Sequence, residues 1–154
     1  MSIEADVLAL LEWKRLSETL PVPGGWTTWT PTITQTGDVT FTNTYCRYLT
    51  IGKLAHVAGV LTVTGSGSGS AIITVSGIPA AIAAVQATGV VGTGAIQNVG
   101  TAFYQGAMFL ASTTSFQFLK HNDPTVAGSF FGANPAFNLA ATDVLFFSGA
   151  WEIA

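Results

Sequence analysis

The spacing of hydrophobic and polar positions changes once along the chain, close to residue 25. Apolar side chains in residues 2–20 recur every three or four positions, which is the period of an amphipathic helix. They form two stripes, Ile3, Val7 and Leu10 in one and Ala9, Trp13, Leu16 and Leu20 in the other. From Trp26 onward, apolar and polar positions alternate in short runs typical of half-buried strands. The pattern therefore predicts one N-terminal helix followed by a β-body.

The charges of the first segment fit a helix. Ser2 can cap its N-terminus, Glu4 and Asp6 suit the positive end of the helix dipole, and Lys14 and Arg15 suit the negative end. About five turns are only marginally stable alone in water, so this helix must pack on something. A short trimeric bundle and a helix folded back on its own β-body are both compatible with the two stripes.

A proline- and glycine-rich break separates the two parts. Residues 21–25, Pro-Val-Pro-Gly-Gly, end the helix and form a hinge. We therefore predict two units: residues 1–25, serving trimerisation or docking, and a β-sandwich body over residues 26–154.

The body contains about eight to ten short strands. Alternation is clean over residues 38–42 and 54–64, and residues 143–153 form a last strand. Residues 71–75 and 87–91 are also predicted strands, 80–85 is ambiguous, and 127–141 is a long loop with aromatic anchors. Turns every 8 to 12 residues favour an antiparallel β-sandwich or jelly roll, and no βαβ alternation supports a parallel α/β fold.

Composition narrows the function classes. The chain has 154 residues, five basic and eight acidic, a net charge of −3 and one cysteine. Five basic residues exclude an electrostatic footprint for nucleic acid, and one cysteine excludes a disulfide scaffold. No apolar run reaches the roughly 20 residues of a membrane span, and Glu4 and Asp6 stand where a signal peptide would be basic. Only 8% of residues are charged, which indicates a surface covered by other subunits; the alternative is an uncharged Thr/Ser surface.

Catalytic chemistry has few candidate residues. His56 lies on an alternating strand, His121 lies in a turn beside Asp123, and Cys46 is expected to be a small buried side chain. Neither histidine has ligands at zinc spacing, and no phosphate-binding glycine loop is present. We therefore predict no catalytic residue, no metal and no cofactor. A glycan-active enzyme is a remote alternative, with carboxylates outside the helix at Asp38, Asp123, Asp143 and Glu152.

Aromatic side chains offer a second kind of site. Trp and Tyr on a charge-poor surface can stack on sugar rings, because each has an apolar face and a polar tip. Core and interface packing is the alternative for each of the 17 aromatic residues. Trp26 and Tyr104 are the candidates for exposed ligand contacts.

Several short motifs of the body resemble a pattern of tailed-bacteriophage fibre and appendage proteins. They are Trp29-Thr30-Pro31-Thr32, Tyr45-Cys46-Arg47-Tyr48, Ile51-Gly52-Lys53-Leu54-Ala55-His56-Val57, Gly77-Ile78-Pro79 and the closing Phe146-Phe147-Ser148-Gly149-Ala150-Trp151-Glu152-Ile153. The resemblance covers roughly residues 26–80 and the last ten.

The resemblance implies a homotrimeric, jelly-roll-like virion protein, made in the host cytoplasm without a signal peptide. Its N-terminal helix would trimerise or dock onto other virion proteins through Ile3, Val7, Leu10, Trp13, Leu16 and Leu20. Long shafts are usual in tail fibres, whereas only about 20 residues precede this body. The expected role is a short tail-fibre or receptor-binding trimer that contacts a host-surface glycan or protein, and the alternative is a capsid decoration, cement or head-fibre protein without a receptor.

Overall fold

The computed structural model describes residues 25–67, 70–120 and 129–154. They form ten strands and one 3₁₀ turn, and no α-helix occurs among them. The strands are β1 (Thr27–Thr28), β2 (Thr32–Thr34), β3 (Asp38–Val39), β4 (Phe41–Ile51), β5 (Leu54–Val63), β6 (Thr74–Ser76), β7 (Gly89–Asn98), β8 (Ala102–Ser112), β9 (Ser115–Lys120) and β10 (Val144–Glu152). The predicted helix over residues 2–20 and its two apolar stripes lie outside the described residues, as do His121 and Asp123.

All ten strands belong to one antiparallel sheet, in the order β1-β4-β5-β10-β7-β8-β9-β6-β2-β3. The chain passes from β3, at one end of this order, to β4, near the other end, through the single residue Thr40. The Thr40 carbonyl also accepts the backbone N–H of Thr64 at 2.8 Å. One residue spans only a few ångströms, so the sheet must curl into a half-barrel that brings its two ends together. A mostly β, antiparallel body is therefore confirmed.

Alternation along the central strands separates the core from solvent. In β5, Ala55, Val57, Leu61 and Val63 are buried and the residues between them, except Gly59, are only partly covered. Strand β10 pairs with β5 over its whole length, placing Leu145 beside Leu61. The predicted alternation in both segments is confirmed, because each strand has one face on the core.

A long loop covers the open side of the half-barrel. Phe131 and Leu139 from this loop are fully or almost fully buried in the core. The buried side chain of Gln35 holds the loop: its Nε2 donates to the carbonyls of Phe137 (2.6 Å) and Ala71 (3.2 Å), and its Oε1 accepts the Leu139 N–H (2.8 Å). The predicted loop with aromatic anchors agrees with this arrangement over the part that the structure describes.

Two predicted strand boundaries are corrected, and one segment that the sequence left ambiguous is resolved. The strand expected over residues 71–75 is Thr74–Ser76, and the ambiguous segment 80–85 contains the 3₁₀ turn Ala80–Ile82. That turn is fixed by Trp151, whose Nε1–H donates to the Ile82 carbonyl at 2.7 Å. The strand expected over 87–91 runs instead from Gly89 to Asn98. Glycine disfavours strands, but Gly94 leaves room for the ring of Phe118 and Gly92 lies against the backbone of Ser148 and Gly149.

Candidate functional site

The side of the sheet that faces away from the core carries very little charge. On the five central, fully described strands β4, β5, β10, β7 and β8, the charged outward positions are Arg47 and Glu152. Large apolar side chains are exposed there, including Phe103 at 55%. We call this surface the outer face. Its composition is typical of a contact surface more than of a free one, because charge is depleted in the centre of protein contacts.

The strand registers arrange outer-face residues in rows that cross the sheet. One row consists of small side chains with an arginine at its end, in the order Arg47, Ala58, Ser148, Thr93 and Ala107. The adjacent row is bulkier, in the order Tyr45, Val60, Phe146, Ala95 and Gln105. The small-residue row and the bulkier row therefore run side by side across the five strands.

A groove of about 540 Å³ runs along these rows. All five residues of the bulkier row line it, together with Thr93 and Ser148 of the small-residue row, whereas Arg47 lies beside the groove and is not part of its lining. The groove lining comes from all five central strands, so it spans about 19 Å at roughly 4.8 Å per strand. Thr93, Gln105 and Ser148 line it, are exposed, and make no side-chain hydrogen bond to another described residue. The groove therefore presents neutral hydrogen-bonding groups on an otherwise apolar surface.

Arg47 lies over two aromatic rings beside the β4 end of the groove. Its guanidinium carbon is 4.6 Å from the centre of the Trp26 ring and 5.1 Å from that of the Tyr45 ring, both within cation–π range. Trp26 is 45% exposed and Tyr45 is 42% exposed. We call these three residues the aromatic–arginine cluster. Tyr45 belongs to both the cluster and the groove wall, so the two features form one continuous surface.

The local fold places the cluster through a bulge and a buried tryptophan. A register shift between Asn43 and Tyr45 inserts an extra residue in β4, after which Tyr45 pairs with the outward Val60. Asn43 Nδ2 donates to the Trp29 carbonyl at 3.0 Å, and Trp29 N–H donates to the Cys46 carbonyl at 3.0 Å. Trp29 is buried, so it anchors the segment that carries Trp26 above Arg47.

The two predicted ligand contacts, Trp26 and Tyr104, differ in their exposure to solvent. Trp26 is exposed and lies in the aromatic–arginine cluster. The expected exposure of Tyr104 is corrected: its ring is half-buried against the core, stacked on Phe137 with centroids 4.7 Å apart. Tyr104 pairs with the inward-facing Ile96, and that register turns its side chain to the core.

The other chemistry-bearing residues are dispersed. His56 is half-buried on the outer face opposite Ala150, and Cys46 is buried, which raises the pKa of its thiol. Asp143 is buried, and its carboxylate accepts the N–H groups of Val99 (2.9 Å) and Ala140 (2.8 Å). Asp143 therefore holds two loops together. No group of three or more His, Cys, Asp or Glu gathers at a metal-binding distance in the described part of the chain.

Sequence reasoning missed Arg47 and the small-residue row. Arg47 stands in the Tyr-Cys-Arg-Tyr motif, where alternation alone assigns it to the face opposite Cys46. That signal was present, but its neighbours across the sheet depend on registers that the sequence does not specify.

Comparisons with known proteins add no assignment: no protein-family model, curated protein sequence or solved structure matches this chain significantly. In the described residues, no helix has the length and apolar character needed to cross a membrane.

Proposed function

We propose that this chain is a non-enzymatic structural protein of a tailed-bacteriophage virion, a short homotrimeric attachment protein that contacts the host surface. The outer face carries the proposal. It is a broad, charge-poor surface with a polar groove and an exposed tryptophan, and such a surface suits binding rather than catalysis. The motif resemblance of residues 26–80 and of the last ten points to the same class of protein.

The resemblance motifs have structural roles that are consistent with this proposal. Trp29 anchors the first strands to β4, and the turn of the β4–β5 hairpin begins at Gly52, whose φ of +58° favours glycine. The closing strand β10 is central in the sheet, between β5 and β7. We further propose that the curled sheet is a jelly-roll-like β-sandwich, since the chain crosses between the two ends of the strand order at both β1–β2 and β3–β4.

Residues 1–25 are the proposed trimerisation or docking segment. The apolar stripes of that segment supply a contact surface in sequence, and the body begins immediately after it, at Trp26. Three copies joined there would present three outer faces to one host surface. Such multivalency raises avidity without any new contact in the single subunit.

The test of the attachment function is competition for the host. Purified full-length protein, at saturating concentration, should bind susceptible bacterial cells and slow the adsorption of the phage that carries it. The same protein after heat denaturation is the control, because it has the composition without the fold. If the protein neither binds the cells nor slows adsorption, the proposed attachment function is ruled out.

A capsid decoration or cement protein is the second candidate. It is favoured by exposed apolar side chains outside the groove, such as Val90, Val85 and Phe103, which would be covered by neighbouring capsid subunits. In that case virions that lack the protein should release their DNA at a lower temperature. Unchanged thermal release from the deletion virion would argue against a cement role.

A further inference from the structure

We infer that the groove and the aromatic–arginine cluster bind an acidic polysaccharide, with one carboxylate of the sugar chain held by Arg47. This inference rests on the proposed attachment function and specifies its ligand class. It is carried by the register that puts Arg47 at the end of the small-residue row.

Arg47 is preorganised to bind a carboxylate. Its guanidinium contacts two rings and pairs with no carboxylate in the described residues. Stacking on Trp26 and Tyr45 restricts the guanidinium while its planar N–H fork remains able to hold a carboxylate through two parallel hydrogen bonds. An arginine that is ordered before binding loses less conformational freedom when an anion arrives. Charge complementarity therefore points to an anionic ligand.

The groove favours a chain of sugars over a peptide. It crosses the interior strands β5, β10 and β7, whose backbone N–H and C=O groups are paired within the sheet. A peptide therefore finds no free strand edge along the groove, and strand addition is excluded there. The groups that remain available are the hydroxyls of Ser148 and Thr93 and the amide of Gln105. Such neutral donors and acceptors match sugar hydroxyls.

The apolar parts of the surface fit the same ligand. Phe146 lines the groove, and Tyr45 and Trp26 present exposed ring surface at its end. Aromatic rings with a polar tip combine apolar contact with hydrogen bonding, as the alternating CH and OH groups of a sugar require. A groove that crosses five strands also suits an extended oligomer more than a single small molecule.

Calorimetric titration of the full-length protein tests the inference. The probes are oligomers of polygalacturonate, alginate and hyaluronate, which all carry sugar carboxylates, and the methyl ester of each oligomer is its matched neutral probe. We expect binding to at least one acidic oligomer and at least about tenfold weaker binding to its ester form, because the ester loses the charge that Arg47 contacts. The inference would be overturned if the protein bound none of the three acidic probes, or if it bound an acidic oligomer and its ester equally well.

Substitutions at Arg47 test whether this residue makes the contact with the sugar carboxylate. Arg47→Gln should weaken it by about tenfold or more, and Arg47→Lys should weaken it less but measurably, because lysine retains the charge and loses the fork. Lys53→Gln is the control, since Lys53 lies in the β4–β5 turn and its change removes the same charge from the protein. Equal loss in the Arg47 and Lys53 variants would indicate general charge attraction and would reject the site.

Ser148→Ala supplies a second test within the groove. It keeps a small side chain at an exposed position and removes one hydroxyl without filling the groove, so binding should weaken while the unfolding midpoint stays nearly the same.

Cell adsorption separates the two proposals. If Arg47→Gln protein binds host cells as well as the unchanged protein does, the proposed ligand class is rejected and the attachment function still stands. Unchanged protein that does not bind cells at all would reject the attachment function itself.

Discussion

Gln35 is a single buried polar residue that connects distant parts of the chain. Its amide makes three hydrogen bonds to backbone groups near residues 71, 137 and 139, and its side chain is completely buried. Buried backbone groups need partners, so one side chain here replaces strand pairing for two loops. The charge-poor core tolerates Gln35 because all three bonds are made.

Gln35→Leu should destabilise the fold by about 3 kcal/mol, because it leaves buried backbone groups unpaired without changing the side-chain volume greatly. Chemical denaturation monitored by tryptophan fluorescence measures the change. Gln97→Leu is the control at an exposed position, where a shift within about 0.5 kcal/mol is expected. Equal stability of the Gln35 and Gln97 variants would contradict the role assigned to Gln35.

Cys46 gives stability a predictable dependence on pH. Burial raises the pKa of its thiol, whereas the thiol of the unfolded chain titrates near its ordinary value of about 8.5. Above that pH the unfolded state loses a proton that the folded state keeps. The free energy of unfolding should therefore fall by about 1.4 kcal/mol per pH unit from this residue alone.

The measurement is a denaturation series between pH 7 and about 9.5, with Cys46→Ala as the comparison. The difference in free energy of unfolding between the two proteins should be nearly constant below about pH 8 and should fall by about 1.4 kcal/mol in total by pH 9.5, because the full slope is reached only well above the pKa of the unfolded thiol. A pH-independent difference would show that the thiol is able to ionise in the folded protein.

At the scale of elements, glycines in the strands make room for aromatic side chains of the core. A Cβ at Gly59 would overlap the ring of Phe147, and one at Gly94 would overlap the ring of Phe118. The two glycines line the base of the groove, and the rings that fill their inward space belong to the core. The same packing therefore shapes both faces of the sheet.

Gly59→Ala should cost about 3 kcal/mol of stability, because the added methyl group has no space beside Phe147. Gly89→Ala is the matched control: it lies at the start of β7 with nothing within 4 Å of an added Cβ, and it should be close to neutral. The combination of Gly59→Ala with Phe147→Leu should cost less than the sum of the two single changes, since leucine vacates part of the overlap. Strict additivity in equilibrium unfolding would contradict this packing.

At the scale of the whole molecule, continuity of the chain governs the curl of the sheet. The β3–β4 connection through Thr40 joins strands that are nearly at opposite ends of the strand order. The inner face then encloses one core, whereas the outer face is covered only in part by the described residues, where Phe130 packs on Phe109, and it carries exposed apolar groups such as Phe103. A partly open apolar face of this kind is the reason to measure the assembly state.

We expect the full chain to have a solution mass three times its 16.0 kDa, as measured by size-exclusion chromatography with light scattering. A protein that starts at Trp26 should contain the whole described core and serves as the comparison. If it becomes monomeric, residues 1–25 form the trimer; if it remains trimeric, the body forms it and the N-terminal segment is available for docking. A monodisperse monomer of the full chain would exclude the trimer.

Local sequence pattern was sufficient to predict the class of the body and the locations of several strands. Alternation in residues 54–64 and 143–153, and the burial expected for Cys46, depend on neighbours along the chain, and the period of two specifies which side chains share a face. The exposure of Trp26 was also predicted, whereas that of Tyr104 was not correct, because the aromatic loop that covers its ring comes from a distant part of the chain.

Only the tertiary structure decided which residues meet across the sheet. Arg47 lies beside the groove because β5, β10 and β7 bring Ala58, Ser148 and Thr93 into its row, over a range of about a hundred residues in sequence, and because Tyr45 of the groove wall is its neighbour. Register depends on core packing, turn geometry and the bulge after Asn43 acting together, and a shift by one residue would move every side chain to the other face. Local periodicity therefore specifies faces, and long-range pairing specifies the site.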